Sequence, residues 1–167
     1  RFSIKKNGFS DAYAIEFDKQ GNLWIGTTGK LIKYLPDGTF ENITKETHPG
    51  FEMAEVREIL IYKKGQLWVV GRATLNMKTG AGISVFDGTK WTNYQEGLVK
   101  PFVEDLTMDA NGNIWGVMGR QDMGVIMFDG TEFKTFHPGN SSLKTNIVRA
   151  IAAADDGKVY FGTDLGL

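Results

Sequence analysis

Apolar residues alternate with polar ones in the same way at four places along the chain. The runs cover residues 12–18 (AYAIEFD), 56–62 (VREILIY), 103–109 (VEDLTMD) and 148–154 (VRAIAAA). Aligned in columns, they place Ile15, Ile59, Leu106 and Ile151 at one position, and Phe17, Ile61, Met108 and Ala153 two residues later. Side chains two apart share one face of a strand, so each run predicts a strand with one packed face. A turn follows each run, at residues 18–22, 63–66, 109–113 and 155–158, each holding Gly and most Asn or Asp. These residue types reach the positive φ of a tight hairpin. A second strand comes next, then a connection of variable length, then a third strand at residues 31–34, 83–86 and 125–128. Asp-Gly-Thr turns lead from these into a fourth, which carries Phe40 and Ile43, Trp91 and Tyr94, or Phe133 and Phe136.

The second strand is the most regular part of the repeat. It reads Gly21-Asn22-Leu23-Trp24-Ile25-Gly26-Thr27, then Gly65-Gln66-Leu67-Trp68-Val69-Val70-Gly71. It returns as Gly112-Asn113-Ile114-Trp115-Gly116-Val117-Met118-Gly119 and Gly157-Lys158-Val159-Tyr160-Phe161-Gly162-Thr163. The anchors Trp24, Trp68, Trp115 and Tyr160 stand 44, 47 and 45 residues apart. A period of about 40–50 residues built from four short strands is that of one propeller blade. The expected fold is all-β: a β-propeller of about four four-stranded blades, with residues 1–167 forming one propeller region. The repeats run over approximately 12–44, 56–94, 103–136, and 147–167 plus 1–4. The last breaks off at Leu167, which aligns with Leu31. Arg1-Phe2-Ser3-Ile4 reads as an outer strand, and by alignment about eight residues of third strand are missing between the two ends. The expectation is therefore a segment of a larger propeller. A ring closed by the N-terminal strand, or by a second copy, is the alternative.

Composition narrows the chemistry. The chain has no cysteine, which excludes thiolate metal sites, disulfides and thiol catalysis. Nineteen basic against twenty acidic residues give a net charge of −1, so no nucleic-acid partner is expected. No apolar run is long enough to span a bilayer as a helix, and no membrane insertion is expected. No metal or cofactor motif stands out; the Asp-x-x-Gly-Asn turns lack the further acidic ligands of a calcium loop.

The repeat resembles the two-component regulator propeller repeat. The stretch from Asp18 to Thr27 matches its Asp-x-x-Gly-Asn-Leu-Trp-Ile-Gly-Thr phrase. Phe86-Asp87-Gly88-Thr89-Lys90-Trp91 and Phe128-Asp129-Gly130-Thr131-Glu132-Phe133 match its second half, and Asn7-Gly8-Phe9-Ser10-Asp11 its inter-blade link. The chain departs from it at residues 72–80, a longer loop, and at Tyr160, which stands in place of Trp. The resemblance implies a sensor propeller of an exported receptor, periplasmic or extracellular, reporting glycan-like molecules. Related propellers with lyase activity use a His and a Glu near the channel.

Candidate sites lie where the repeats disagree. The anchors sit among Leu, Ile and Val at one repeating position, so they are read as packing between blades. The connections between second and third strands differ most, and Arg72 and Arg120 hold matching places after Gly71 and Gly119. Two guanidiniums on adjacent blades fit a carboxylate or sulfate. With Asn76 and Gln121 they form the expected ligand site, for a small polar or anionic, carbohydrate-like molecule. Pairing of each arginine with a nearby acid such as Glu58 or Asp122 is the other reading. Tyr13, Arg57, Glu104 and Arg149 share one column near the channel mouth, where mutual pairing around the ring is expected. The leading expectation is a non-catalytic sensing module. One alternative is a docking propeller that meets other copies or neighbouring blades through Phe51, Met53, Phe102 and Met123. Another is a lyase or hydrolase resting on His48 or His137.

Overall fold

The computed structural model describes residues 11–72, 82–94, 103–119 and 124–167. They form three four-stranded antiparallel sheets and one two-stranded sheet, each a meander in chain order. The first sheet holds β1 (Ala14–Phe17), β2 (Leu23–Gly26), β3 (Leu31–Tyr34) and β4 (Phe40–Ile43). The second holds β5 (Glu55–Ile61), β6 (Leu67–Arg72), β7 (Gly82–Phe86) and β8 (Trp91–Tyr94). The third holds β9 (Val103–Met108), β10 (Ile114–Met118), β11 (Val125–Phe128) and β12 (Phe133–Phe136); β13 (Val148–Ala153) pairs with β14 (Val159–Thr163) in the fourth. The opening strands β1, β5, β9 and β13 abut one another in succession, which places them along the inner rim. The fold is an all-β propeller segment, and among the described residues the fourth sheet does not pair with the first.

Each seam between sheets has its own core, and the anchors fill it. Trp24 lies with Ile59, Leu67, Val69 and Trp91 of the second sheet. Trp68 lies with Leu106, Ile114, Ile126 and Phe128 of the third. Trp115 packs against Val148, Ile151 and Phe161 of the fourth. The aromatic pairs of the outer strands are three residues apart, an odd spacing that sends one side chain to each face of a strand. Trp91 joins the seam before its sheet and Tyr94 the seam after it. Phe133 and Phe136 divide in the same way.

The burial expected of the first strands depends on a sheet standing before them. Ile59 and Leu106 are buried, whereas Ile15 is 66% exposed and Phe17 63% exposed, because no described sheet precedes the first. At the other end Tyr160, the fourth anchor, is 40% exposed, with no described sheet beyond it.

Candidate functional site

The turn after each inner strand closes with the same two backbone hydrogen bonds. In the first sheet Asp18 N–H donates to Asn22 O and Gly21 N–H to Asp18 O. The pairs Tyr62–Gln66 and Gly65–Tyr62, Asp109–Asn113 and Gly112–Asp109, and Ala154–Lys158 and Gly157–Ala154 repeat this. Gly21 and Gly112 take φ of +82° and +81°, which the hairpin requires. The aspartates add a second function. Asp18 Oδ1 accepts the N–H groups of Gln20 and Asn22, and its Oδ2 accepts Asn22 Nδ2 and, at 2.9 Å, Trp24 Nε1. Asp109 does the same for Asn111, Asn113 and Trp115. Burial alone pushes both carboxyls up, but the donated hydrogen bonds outweigh it and hold both below the ordinary value. These aspartates clasp the anchors, and every acceptor site is used within the turn. Among the described residues no cluster of His, Asp and Glu is arranged to hold a metal.

At the opposite end of the inner strands, the connections after the second strands of the first and third sheets meet the segment leading into the next sheet. Gly29 N–H donates to Ala54 O at 2.7 Å and Val56 N–H to Thr27 O at 3.0 Å. Two sheets later Gly124 N–H donates to Asn146 O at 2.9 Å, and within the fourth sheet Asp164 N–H donates to Ile147 O. This is the loop face that the sequence singles out. Of the four residues expected to bind there, Arg72 ends β6, its backbone paired with Glu55. Its side chain, and all of Asn76, Arg120 and Gln121, lie outside the described residues.

The described part of the loop face contains a cleft of about 270 Å³ at the seam of the third and fourth sheets. Glu104 on β9 and Arg149 on β13 line it, with Met118, Gly119, Asn146, Ile147 and Val148. Gly119 leaves room for the Glu104 side chain, whose carboxylate a Cβ at that position would displace. Asn146 Oδ1 is sealed from solvent and finds no hydrogen-bond donor. Sequence reading overlooked Asn146. Its only signal is an amide in the register where the second repeat has Ala54, the position whose carbonyl closes the seam.

The channel-mouth column is only partly self-paired. Arg57 pairs with Glu55 on its own strand and lies 4.1 Å over the Tyr13 ring, a contact between neighbouring sheets. Arg149 makes no ion pair with any described residue. Burial raises the Glu58 carboxyl, with the charges of Asp105 and Glu16 adding to it, and burial raises Asp105.

The two histidines are held in separate turns. His48 Nδ1 meets Thr47 Oγ1 at 3.0 Å and its Nε2 lies 3.3 Å from Glu41. His137 Nδ1 accepts the Gly139 N–H at 3.1 Å, and its carbonyl accepts Asn140 N–H and Ser141 Oγ. Phe51 and Met53 correct the expected docking patch: they are 0% and 6% exposed and belong to the first seam's core. Phe51 sits edge-on to Trp91, so neither is free to meet a partner. Phe102 and Met123 lie outside the described residues.

Comparison with known proteins supports the resemblance. A family model described as two component regulator propeller matches residues 8–29. A search of curated proteins finds no match. Among solved structures, the chain is similar to the extracellular domain of a putative hybrid two component system from B. thetaiotaomicron. The two are 24% identical with a TM-score of 0.68, over 91% of this chain and 20% of that one. A virginiamycin B lyase from Staphylococcus aureus is 16% identical with a TM-score of 0.64, over 93% and 53% of the two chains. A gluconolactonase from Xanthomonas campestris is 9% identical with a TM-score of 0.62, over 89% and 55%. The chain thus spans about a fifth of the receptor domain's length and about half of either enzyme's. At these identities the likeness establishes the propeller fold and leaves activity open.

Proposed function

We propose that this chain is a non-catalytic ligand-sensing module of an exported two-component-type receptor, working in the periplasm or outside the cell. Its ligand is a small polar or anionic, carbohydrate-like molecule bound on the loop face by Arg72, Asn76, Arg120 and Gln121. The observation that carries this reading is the polar cleft at the third seam, which opens beside Gly119, where the Arg120 connection leaves β10. Likeness to a two-component receptor domain gives the class its context. The turn-bound surroundings of His48 and His137 favour a binding role over acid–base chemistry. The test is calorimetric titration with D-glucuronate, D-galacturonate and glucose 6-sulfate. At least one should bind, and R72A/R120A should abolish that binding while the far-UV spectrum stays unchanged. Undiminished affinity in the double variant would remove the assigned residues, and no binding by the wild-type chain would remove the ligand class.

A second reading, contact with other copies or neighbouring blades, is favoured by the exposed Ile15, Phe17, Tyr160, Leu165 and Leu167 at the two end faces. Light scattering checks it: a concentration-dependent dimer supports contact between copies, and a monomer at all concentrations rejects it.

A further inference from the structure

The inner strands share an irregularity that the repeat puts at one position, and in the fourth sheet it turns a charge toward the cleft at the third seam. We infer that Arg149 is a ligand-binding residue, whose guanidinium holds the acid group of an anionic ligand in that cleft. This deepens the reading of the loop face as a ligand site and rests on it. It makes the ligand an acid and adds a cation from the fourth sheet, which the four loop residues do not supply.

The irregularity is a β-bulge. In the second sheet Val56 opposes Gly71 and Glu58 opposes Val70, which leaves Arg57 as an extra residue. In the third, Val103 opposes Met118 and Asp105 opposes Val117, leaving Glu104. In the fourth, Val148 opposes Thr163 and Ala150 opposes Gly162, leaving Arg149. The extra residue shifts the alternation of faces by one. Val56 and Ile59 are three apart, a spacing that sends side chains to opposite faces of a regular strand, yet both fill the first seam. Val103 and Leu106 share the second seam in the same way, and Val148 and Ile151 the third. The bulge thus keeps the seam packed on either side of it and releases one side chain from that packing. Bulges recur where a side chain has to be re-aimed.

The released residues differ in what they meet. Arg57 lies 4.1 Å over the Tyr13 ring and pairs with Glu55. In the registers of Glu55 and Tyr13, Arg149 has Ile147 and Glu104. Ile147 carries no charge, and Glu104 already has a partner. Asp105, the other acid of this seam, accepts the Ile151 N–H at 3.3 Å. Arg149 is exposed, makes no ion pair with any described residue and lines the cleft. A guanidinium offers a planar fork of donors matched to a carboxylate or sulfate, and here the ligand supplies the anion that the chain does not. Glu104 on the other wall repels a like charge, so the acid group lies on the Arg149 side. Met118, Ile147 and Val148 give the body of the ligand an apolar surface. The volume of about 270 Å³ equals that of roughly nine waters, enough for one small molecule.

The test is calorimetry on the intact chain with D-glucuronate and two probes of the same ring without the charge, D-glucose and D-glucuronamide. Glucuronate should bind at least about tenfold more tightly than either neutral probe. R149M keeps most of the aliphatic stem, removes the charge and should abolish that preference by weakening glucuronate alone, whereas R149K should retain part of it. R57M is the control: it removes the contact with Tyr13 between sheets and should lower the melting temperature while the preference stays. Far-UV spectra identify any variant that fails to fold. Equal binding of glucuronate and the neutral probes, or an undiminished preference in folded R149M, would overturn the role of Arg149. If R72A/R120A still abolishes binding in that case, the loop-face reading stands without it. If R149M removes the preference and R72A/R120A changes nothing, the loop residues fall and Arg149 stands. Binding of none of the three probes overturns both.

Discussion

The turn that precedes the anchor is built in two ways within one chain. In the first and third sheets an aspartate opens it and reaches forward six residues to the indole N–H, at 2.9 Å in both. In the second sheet Tyr62 stands in that place. Its ring packs edge-on to Trp68 at 5.8 Å, and its hydroxyl crosses the seam to donate to Gly112 O at 2.8 Å. Trp68 Nε1 is then buried without an acceptor, but the ring lies among Tyr62, Tyr94, Phe128 and Phe133. In the fourth sheet Ala154 holds the place, and the anchor is Tyr160, which has no indole N–H to satisfy. All four turns nevertheless close with the same backbone bonds. The aspartate is therefore dispensable for the turn and specific to the indole. The second sheet gives up one polar contact inside its blade and gains aromatic packing and a hydrogen bond between blades.

Removing the ring that depends on packing alone should have the largest effect. Trp68→Ala empties the centre of the second seam and should cost about 4 kcal/mol, read as a shift in the denaturant midpoint. Trp68→Phe loses no hydrogen bond and should be milder than Trp115→Phe, which deprives Asp109 of a donor. Asp109→Ala comes next, because it strips Trp115 Nε1, Asn113 and Asn111 of their acceptor in a residue only 6% exposed. The expected loss is about 3 kcal/mol. A loss below about 1 kcal/mol would mean that the clasp adds little beyond the backbone turn.

The same contrast explains how far the sequence could be read. The period, the strand order and the packing role of the anchors follow from columns of residues that repeat, and each recurs in three seams of the fold. What the columns cannot encode is position in the array. Ile15 and Ile59 are identical in type and register, yet one is exposed and the other buried, because burial depends on which sheet stands before it. Phe51 and Met53, read as surface residues of a loop, fill the first seam because the segment folds back onto Trp91. The clasp is half legible: the Asp-x-x-Gly-Asn phrase marks the turn, and nothing in it marks the bond to the indole. Asn146 carried no motif, and only the fold brings it to the same cleft as Glu104 and Arg149.

The acid limb of the stability curve separates the two kinds of carboxylate. Asp18 and Asp109 are held below their ordinary value of 3.8. Their contribution is complete above that value and is lost as pH falls through the folded-state values. Glu58 and Asp105 are raised, so their charged forms cost stability at neutral pH. That cost is relieved as pH falls through their folded-state values. Denaturant midpoints should thus rise slightly as pH drops from neutral and then fall below about pH 4. E58Q/D105N should remove the rise, and D18N/D109N should flatten the fall. Asp87, held at about 2 chiefly by the Thr89 hydroxyl, keeps part of the acid limb in every variant. A rise that persists in E58Q/D105N would place its origin elsewhere.

The smallest expected effect gives the most specific test, because it rebuilds the clasp where it is absent. The fourth turn already has the backbone geometry, with Ala154 N–H on Lys158 O at 2.8 Å and Gly157 N–H on Ala154 O at 3.0 Å. Ala154→Asp alone gives the carboxylate the Asp156 N–H as a donor and sets it in competition for the Lys158 N–H with Asp156 Oδ1, 3.1 Å from that nitrogen, in an exposed turn, and should change stability by less than about 0.5 kcal/mol. Tyr160→Trp alone places an indole on a face that is 40% exposed and should also be nearly neutral. Together they set the carboxylate and the indole N–H six residues apart, as in the first and third turns. The pair should then be more stable than the sum of the single changes by about 1 kcal/mol, measured as a double-mutant cycle. Additive single effects would show that the spacing and the turn are insufficient, and that the clasp needs the next blade packed over the anchor.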